Sequence, residues 1–214
     1  MEISDILRDI RDEIDVDDKV REKILPFSRE AVRKCSEAIK KTHKGLYKEA
    51  HTLITNVHEI TERTEHEISS SDFIMKSRSL DVAYQELAEA ANLLSILEYG
   101  KFTAPDVYKI PSRPYLNGLA DAIGELRRAA LDFLRQDNVA GAENLLHFMD
   151  EILDGLQTFD YPNALIPDLR RKCDVGRSLV ERTRGDLTRA VGQSRLVKEL
   201  TDFENRMKNG QHEE

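Results

Sequence analysis

Residues 82–97 read VAYQELAEAANLLSIL, and this stretch decides the fold class. Its apolar residues recur at intervals of three and four, the spacing that places side chains on one face of an α-helix. The same periodicity continues along most of the 214 residues, with little of the two-residue alternation that indicates β-strands. We therefore predict an all-α fold, a single bundle of six or seven mostly long antiparallel helices.

Glycines, prolines and polar turns separate the predicted helices. Pro26 is expected to kink its helix or restart it two residues later, and Gly185 is expected to end a helix. Pro167 suits the first turn of a helix, because its fixed φ is already helical. The predicted helices are 17–44, 47–68, 72–98, 113–136, 140–158, 167–184 and 186–208, preceded by a short acidic helix at 3–14.

The interruptions between these helices are too short and too poor in Gly, Ser and Pro to divide the chain into domains. We predict one helical domain over residues 1–214, with an acidic N-terminal segment at 1–22 and a flexible tail at 209–214. The acidic segment carries nine acidic and four basic residues, and the whole chain has a net charge of −8. The tail at 209–214 contributes −2, which leaves residues 23–208 nearly neutral at −1. Charge therefore neither favours nor excludes a polyanionic ligand.

The two cysteines and the absence of long apolar runs indicate the cellular compartment of the protein. No apolar run reaches the roughly 18 residues of a membrane span, and no signal peptide opens the chain. Cys35 and Cys173 form neither a disulfide framework nor a zinc site, and are predicted to be buried thiols in a reducing compartment. We predict a cytoplasmic protein with no membrane partner.

An acidic pair interrupts the apolar stripe of the stretch quoted above. Glu86 and Glu89 are three residues apart and share a helix face with Val82 and Leu93. A solvated glutamate pair is normally found on the opposite face from the leucines. The neighbouring alanines are small enough to let a second helix approach this face closely.

Residues 115–128, which read YLNGLADAIGELRR, repeat the pattern. Asp121 and Glu125 are four residues apart on one face. Gly118 and Gly124 each weaken a helix interior by about 1 kcal/mol relative to alanine, which indicates a packing reason for them. We predict that both glycines serve the close approach of another helix.

Four carboxylates on two such helices predict a site for a hard cation. Converging carboxylates repel one another unless a cation neutralises them, and all-oxygen ligation suits Mg²⁺, with Mn²⁺ as the alternative. Such a site can hydrolyse phosphodiesters. The competing interpretation is that these carboxylates are solvated or paired with Lys and Arg. A di-iron site is disfavoured, since no histidine stands three residues after a glutamate.

The two acidic helices resemble those of the translin family, specifically of its translin-associated factor X (Trax) type. Weaker similarities span about 28–185, in family order. The chain departs from the eukaryotic Trax pattern in lacking a basic N-terminal extension and in having a short connection before Arg113. The motifs that carry the resemblance are Tyr115-Leu116-x-Gly118-x-Ala120-Asp121-x-x-Gly124-Glu125-Leu126-x-Arg128 and Gln85-Glu86-x-x-Glu89-Ala90.

The resemblance implies an all-α fold that assembles into a hollow octameric shell, with Mg²⁺-dependent endoribonuclease activity inside it. It places the catalytic and metal-binding carboxylates at Glu86, Glu89, Asp121 and Glu125. The implied function is hydrolysis of single-stranded RNA, or of RNA in hybrids, by a homo-oligomer. The alternative is a non-catalytic shell that binds single-stranded RNA or DNA.

RNA binding needs cationic contacts to phosphates, and four arginines are candidates. Arg128 is the first choice because it lies one turn from Glu125 on the same face. Arg127 adjoins it, and Arg29 and Arg33 are four residues apart on the first long helix. A solvent-facing or ion-paired role is the alternative for each of them.

Overall fold

The computed structural model describes residues 3–68 and 80–210, with side chains described as far as residue 207. The all-α prediction is confirmed, and no β-strand occurs in these residues. A short 3-10 helix, Pro105–Tyr108, lies in the connection before the fourth α-helix. The described α-helices are α1 (Ile3–His43), α2 (Tyr47–Ile68), α3 (Asp81–Tyr99), α4 (Ser112–Arg135), α5 (Val139–Gln157) and α6 (Leu169–Gly210).

Several helix ends lie where the sequence predicts them. Gly45 follows α1 with φ of 70°, and Gly100 follows α3 with φ of 63°, a left-handed conformation that costs glycine little. The Gly100 amide donates to the Ile96 carbonyl at 3.0 Å and closes the last turn of α3. At the start of α5, the Asn138 side chain accepts from the Gly141 amide at 2.9 Å.

The first helix is longer than predicted. α1 is continuous from Ile3 to His43 with Pro26 inside it, so the predicted break after residue 14 and the predicted restart two residues after Pro26 are not observed. Proline removes one intrahelical hydrogen bond. Ile24 and Ala31 are buried two turns apart on either side of Pro26, and their packing holds both halves of the helix against one core.

The last two predicted helices are likewise one helix, because Gly185 lies inside α6 rather than at its end. Val180, Thr183 and Leu187 are buried and continue one helix face past the glycine. Burial of that face outweighs the roughly 1 kcal/mol that an interior glycine costs. Pro167 precedes the first residue of α6 by two positions and is therefore not in its first turn.

Two predictions fall partly on residues outside the described ranges. The helix predicted from Asp72 has its start in 69–79, outside those ranges, and α3 begins at Asp81. Of the predicted flexible tail, 209 and 210 belong to α6. The remainder, 211–214, is not described.

The chain groups into two compact units. The first comprises Met1–Ala122 and Tyr161–Leu169, and the second comprises Ile123–Asp160 and Arg170–Glu214. In the first, α1 packs against α2 and α3, and α2 also packs against α3. In the second, Leu126, Leu145 and Val180 are among the side chains buried in the core. The single-domain expectation remains a prediction.

The connection between α3 and α4 is tied to α3 by a buried amide. Asn92 is buried, and its Oδ1 accepts from the Thr103 amide at 3.0 Å. The Tyr115 hydroxyl on α4 donates to the Thr103 carbonyl at 2.6 Å. These bonds fix the first turns of α4 relative to α3, the helix that carries the acidic pair.

Both cysteines are free and buried, as predicted. Burial, the larger cause, raises the pKa of the Cys173 thiol, and the charge of Asp174 raises it further. Within 3–68 and 80–210, no helix combines the length and the apolar character needed to cross a membrane.

Candidate functional site

The acidic pair of α3 lies beside the core of the first unit. Glu86 and Glu89 are half-buried, and Leu87 and Ala88 between them are fully buried. Burial raises the pKa of the Cys35 thiol on α1 above its ordinary value, and the charges of Glu86 and Glu89 raise it further. The two carboxylates therefore lie close enough to α1 for their field to reach a buried residue of that helix.

Gly118 lets α4 approach the same part of α3 at backbone distance. A Cβ placed on Gly118 would collide with the Gln85 carbonyl oxygen and would lie 2.6 Å from the Ala88 Cβ. It would also lie 3.1 Å from the Glu89 amide nitrogen. Only glycine fits there without a shift of one helix. The predicted close approach at Gly118 is confirmed.

This packing sets Asp121 beside the acidic helix. Asp121 follows Gly118 by one helical turn, and its Oδ2 accepts from the Gln85 Nε2 at 2.7 Å. The Gln85 amide thereby orients the Asp121 carboxylate. The sequence alone does not indicate this role of Gln85, although Gln85 stands directly before Glu86 in the motif that carries the family resemblance.

Glu125 lies one turn further along α4 and belongs to the second unit. It is half-buried, and its Oε2 lies 3.5 Å from the Arg128 Nη1. The close approach predicted at Gly124 is wrong. The nearest atom to a Cβ built there is the Leu179 Cδ1, at 4.0 Å, which is ordinary van der Waals contact.

The four candidate carboxylates suit a metal ion by their chemistry but are not arranged as a three-ligand cluster. All four candidates supply oxygen ligands, which suit Mg²⁺ and Mn²⁺, and all are half-buried. In the described part of the chain, however, no three His, Cys, Asp or Glu side chains are grouped so as to hold an ion. The donors fit a hard cation, but they do not form a preassembled three-ligand cluster.

The structure places Arg127 in a structural network rather than on an open surface. Its Nη1 donates to the Thr183 Oγ1 and its Nη2 to the Asp186 Oδ2, each at 2.8 Å. Burial raises the pKa of Asp186, but the hydrogen bonds and charges of Arg127 and Arg189 outweigh burial, and the pKa lies below its ordinary value. This geometry favours a role in holding α4 to α6 over a phosphate contact.

The other three candidate arginines are exposed. Arg128 has 56% of its side chain accessible, and Arg29 and Arg33 are exposed one turn apart on α1. All three guanidinium groups lie on the surface, where a phosphate can reach them.

The hydrogen bonds of Arg127 predict that its replacement lowers the stability of the fold. Arg127→Ala is expected to lower the free energy of unfolding by about 2 kcal/mol, because hydrogen bonds to a charged partner are lost in a mostly buried position. Arg128→Ala, the matched control one residue away, is expected to change it by less than about 0.5 kcal/mol. Urea unfolding of both variants measures the difference, and equal effects would contradict the structural role of Arg127.

The effect of Arg127→Ala should also depend on pH in a known direction. Asp186 has a folded-state pKa below its ordinary value of 3.8. Its contribution to stability is therefore fully present above about pH 4 and is lost as the pH falls through the lower, folded-state pKa. The difference in unfolding free energy between wild type and variant should be constant from pH 5 to pH 8 and shrink below pH 3.8. A difference that grew with acidity would contradict this assignment.

Comparison with known proteins matches these helices to one family. A model described as the Translin family matches residues 2–184, which include all four candidate carboxylates. An uncharacterized protein of Methanocaldococcus jannaschii is 35% identical over 184 residues, which make up 86% of this chain and 82% of that protein.

Three solved structures are also similar to this chain. AfC3PO in complex with duplex RNA is 30% identical with a TM-score of 0.77, over 87% of this chain and 97% of that chain. AfC3PO alone is 31% identical with a TM-score of 0.75, at the same coverage. Apo-NeC3PO, 18% identical with a TM-score of 0.75 over 86% of this chain and 96% of that chain, shares the fold. Because the family model matches most of the chain and the Methanocaldococcus jannaschii protein is 35% identical to it, the chain belongs to the translin family.

Proposed function

We propose that the protein is a Mg²⁺-dependent endoribonuclease of the Trax type. It would hydrolyse phosphodiester bonds in single-stranded RNA or in the RNA strand of a hybrid. The observation that carries the proposal is the packing of Gly118 against residues 85–89, which sets Asp121 beside the helix of Glu86 and Glu89. Three carboxylates on two touching helices are the ligand type that hard divalent cations prefer.

Glu86, Glu89, Asp121 and Glu125 would hold the ion, Mg²⁺ or in its place Mn²⁺. When bound, the ion supplies polarisation of the phosphoryl oxygen and a water of lowered pKa. One of the four carboxylates positions or deprotonates the attacking water. Gln85 acts through Asp121 as a positioning residue, since its amide fixes the orientation of that carboxylate.

RNA as the ligand is supported by the relative of 30% identity whose structure is a complex with duplex RNA. We assign the phosphate contacts to the exposed guanidinium groups of Arg128, Arg29 and Arg33. Arg128 is adjacent to Glu125, so a phosphate held by Arg128 would lie near one of the metal-binding carboxylates. Single-stranded DNA can bind to the same arginines, because contacts to phosphates do not distinguish DNA from RNA.

We further propose a homo-oligomer, an octameric shell with the carboxylates facing its interior, as the family resemblance implies. In such a shell the substrate must enter before it is cut. Two buried free thiols suit a reducing compartment, and we place the protein in the cytoplasm.

The test is cleavage of end-labelled single-stranded RNA, an RNA–DNA hybrid and single-stranded DNA, each with Mg²⁺ and with EDTA. We expect cleavage of both RNA substrates with Mg²⁺, no cleavage with EDTA, and binding of the DNA without cleavage. No cleavage of RNA with Mg²⁺ or Mn²⁺, at protein concentrations that bind the RNA, would overturn the proposal.

A second candidate is a shell that binds single-stranded RNA or DNA and does not cut it. It is favoured by one observation, that the described residues contain no preassembled group of three metal-binding side chains. RNA binding that is equal with Mg²⁺ and EDTA, with no product in either, would identify this candidate. Loss of RNA affinity in Arg128→Ala would then show that the cationic surface, and not the carboxylates, carries the function.

A further inference from the structure

A cavity of about 280 Å³ lies beside the start of α3, within the first unit. Its walls come from the first turns of α3, the first turns of α4 and the residues just before α6. Val82, Pro114 and Pro167 supply an apolar part of the lining, and Val82 is 57% exposed. Pockets for drug-sized ligands have volumes of roughly 300–1,000 Å³, so this cavity suits a smaller group, such as a single planar ring system.

The cavity adjoins the proposed metal site along α3. Gln85 lines the cavity, and its Nε2 donates to the Asp121 Oδ2 at 2.7 Å. Val82 and Glu86 are four residues apart on one face of α3, about 6 Å along its axis. A nucleotide whose phosphate lies at the carboxylates would therefore have its base within reach of the cavity.

The amide nitrogens in the lining donate to other parts of the protein. Asn117 is buried, and its Nδ2 donates to the Arg113 carbonyl at 3.3 Å and to the Pro167 carbonyl at 3.2 Å. The bond to Pro167 holds the residues before α6 against α4 and so fixes one wall of the cavity. Because the nitrogens of Gln85 and Asn117 both donate to protein atoms, these amides offer a ligand mainly their acceptor oxygens.

Two aspartates add further acceptors to the lining. Asp81 is in the first turn of α3, and Asp168 directly precedes α6. Asp168 has φ of 65°, and its amide donates to the Asn163 Oδ1 at 3.1 Å. Ionised carboxylates accept hydrogen bonds and have no hydrogen to donate. The lining therefore favours a ligand that donates hydrogen bonds, and it disfavours an anion such as phosphate.

We propose that this cavity binds one unpaired base of the substrate RNA and selects bases with an exocyclic amino group over uracil. Cytosine carries an N4 amino group, from which Asp and Glu carboxylates accept hydrogen bonds. Uracil has a carbonyl oxygen at that position, and its one N–H lies between two carbonyl oxygens that a carboxylate repels. The apolar side chains of the lining contact the faces of the ring. Base pairing would occupy the same edge, so the selection applies to single-stranded RNA.

This inference rests on the proposed binding of RNA and does not depend on cleavage. The test is fluorescence anisotropy in EDTA with labelled oligocytidylate and oligouridylate of equal length. Both probes carry the same number of phosphates, so contacts to the backbone cancel in the ratio of the two affinities. We expect oligocytidylate to bind about tenfold more tightly, the scale of one well-made contact to a base edge.

The double variant Asp81→Asn/Asp168→Asn removes the selection. Asparagine keeps the size of both side chains and tolerates the left-handed backbone at residue 168, but its NH₂ group donates where the carboxylate oxygen accepted. We expect the ratio of the two affinities to fall to about one. The loss of two negative charges raises the affinity for both probes together, so only the ratio reports on the cavity.

The double variant Asp106→Asn/Asp137→Asn is the matched control. Asp106 lies in the first turn of the 3-10 helix, as Asp81 does in α3, and Asp137 has φ of 57°, close to that of Asp168. Neither control residue belongs to the described lining of the cavity. The same charge is removed, and we expect the wild-type ratio to be kept. Helix content by circular dichroism should be equal in all three proteins.

The outcomes separate this inference from the proposed function. Equal binding of the two probes by the wild type, or a preference that the cavity variant keeps, would overturn the base site and leave RNA binding standing. A preference lost equally in the control would also overturn it. No binding of either probe by the wild type would overturn RNA binding itself. A preference that only the cavity variant loses supports the base site, whether or not the RNA is cut when Mg²⁺ is added.

Discussion

Replacing Glu89 with glutamine is expected to lower the rate of Mg²⁺-dependent RNA cleavage about 100-fold or more. Glutamine keeps the size of the side chain and removes the charge that an ion requires. Glu89 contacts the Gly118 position through its backbone amide nitrogen, which the substitution leaves in place. A metal contributes several kcal/mol to stabilisation of the transition state, and each 1.36 kcal/mol changes the rate about tenfold. RNA affinity should be retained, since one negative charge near the phosphates is removed.

Glu98→Gln provides a control on the same helix. Glu98 lies near the end of α3, where its Oε2 is 2.6 Å from the His51 Nε2, away from the residues that pack against Gly118. Its replacement makes the same chemical change outside the proposed site, and the cleavage rate should stay within about twofold of the wild type. Single-turnover cleavage of labelled RNA measures both. Equal rates for Glu89→Gln and wild type would remove Glu89 from the site.

Gly118→Ala is expected to lower the free energy of unfolding by about 3 kcal/mol, an overpacking cost at the upper end of the usual range. The added methyl group would meet the Gln85 carbonyl oxygen and the Ala88 Cβ, neither of which can turn away as a flexible side chain can. Relief requires α4 to move from α3, which would also weaken the Gln85–Asp121 hydrogen bond. We therefore expect cleavage to fall together with stability, as measured by urea unfolding and single-turnover assays.

Two other helical glycines serve as controls for this prediction. A Cβ on Gly124 would lie in ordinary contact with Leu179, and one on Gly185 would meet nothing within 4 Å. Gly124→Ala and Gly185→Ala should each raise the free energy of unfolding by up to about 1 kcal/mol, because alanine is the better helix former. If all three substitutions had the same effect, the close approach of α3 and α4 at Gly118 would be wrong.

Local chemistry made much of the fold predictable. Helix ends at Gly45, Gly100 and Asn138 depend on residues that cap the helix themselves, so the sequence signal and the structural cause coincide. Pro26 and Gly185 are local signals of the same kind, but burial of residues on both sides kept each helix continuous. A breaker residue ends a helix only where tertiary packing does not outweigh it.

The candidate site was predictable to the extent that it depends on spacing along one helix. The small-residue face of α4 was visible in the sequence. Which of its glycines packs closely against another helix depends on the position of α3: Gly118 does so, whereas Gly124 makes no close contact. The structural bonds of Arg127 were not predictable, because Asp186 lies 59 residues later in the chain. Gln85 was missed for a similar reason, since its partner Asp121 lies on another helix.

We propose above that the carboxylates of α3 and α4 hold a divalent cation. Titration of Mn²⁺ into the protein without RNA, followed by electron paramagnetic resonance, tests it most directly, with wild type and the double variant Glu86→Gln/Glu89→Gln compared side by side. We expect bound Mn²⁺ in the wild type, displaced by excess Mg²⁺, and loss of that binding in the double variant with the fold retained. Equal Mn²⁺ binding by both proteins, or none by the wild type, would contradict it.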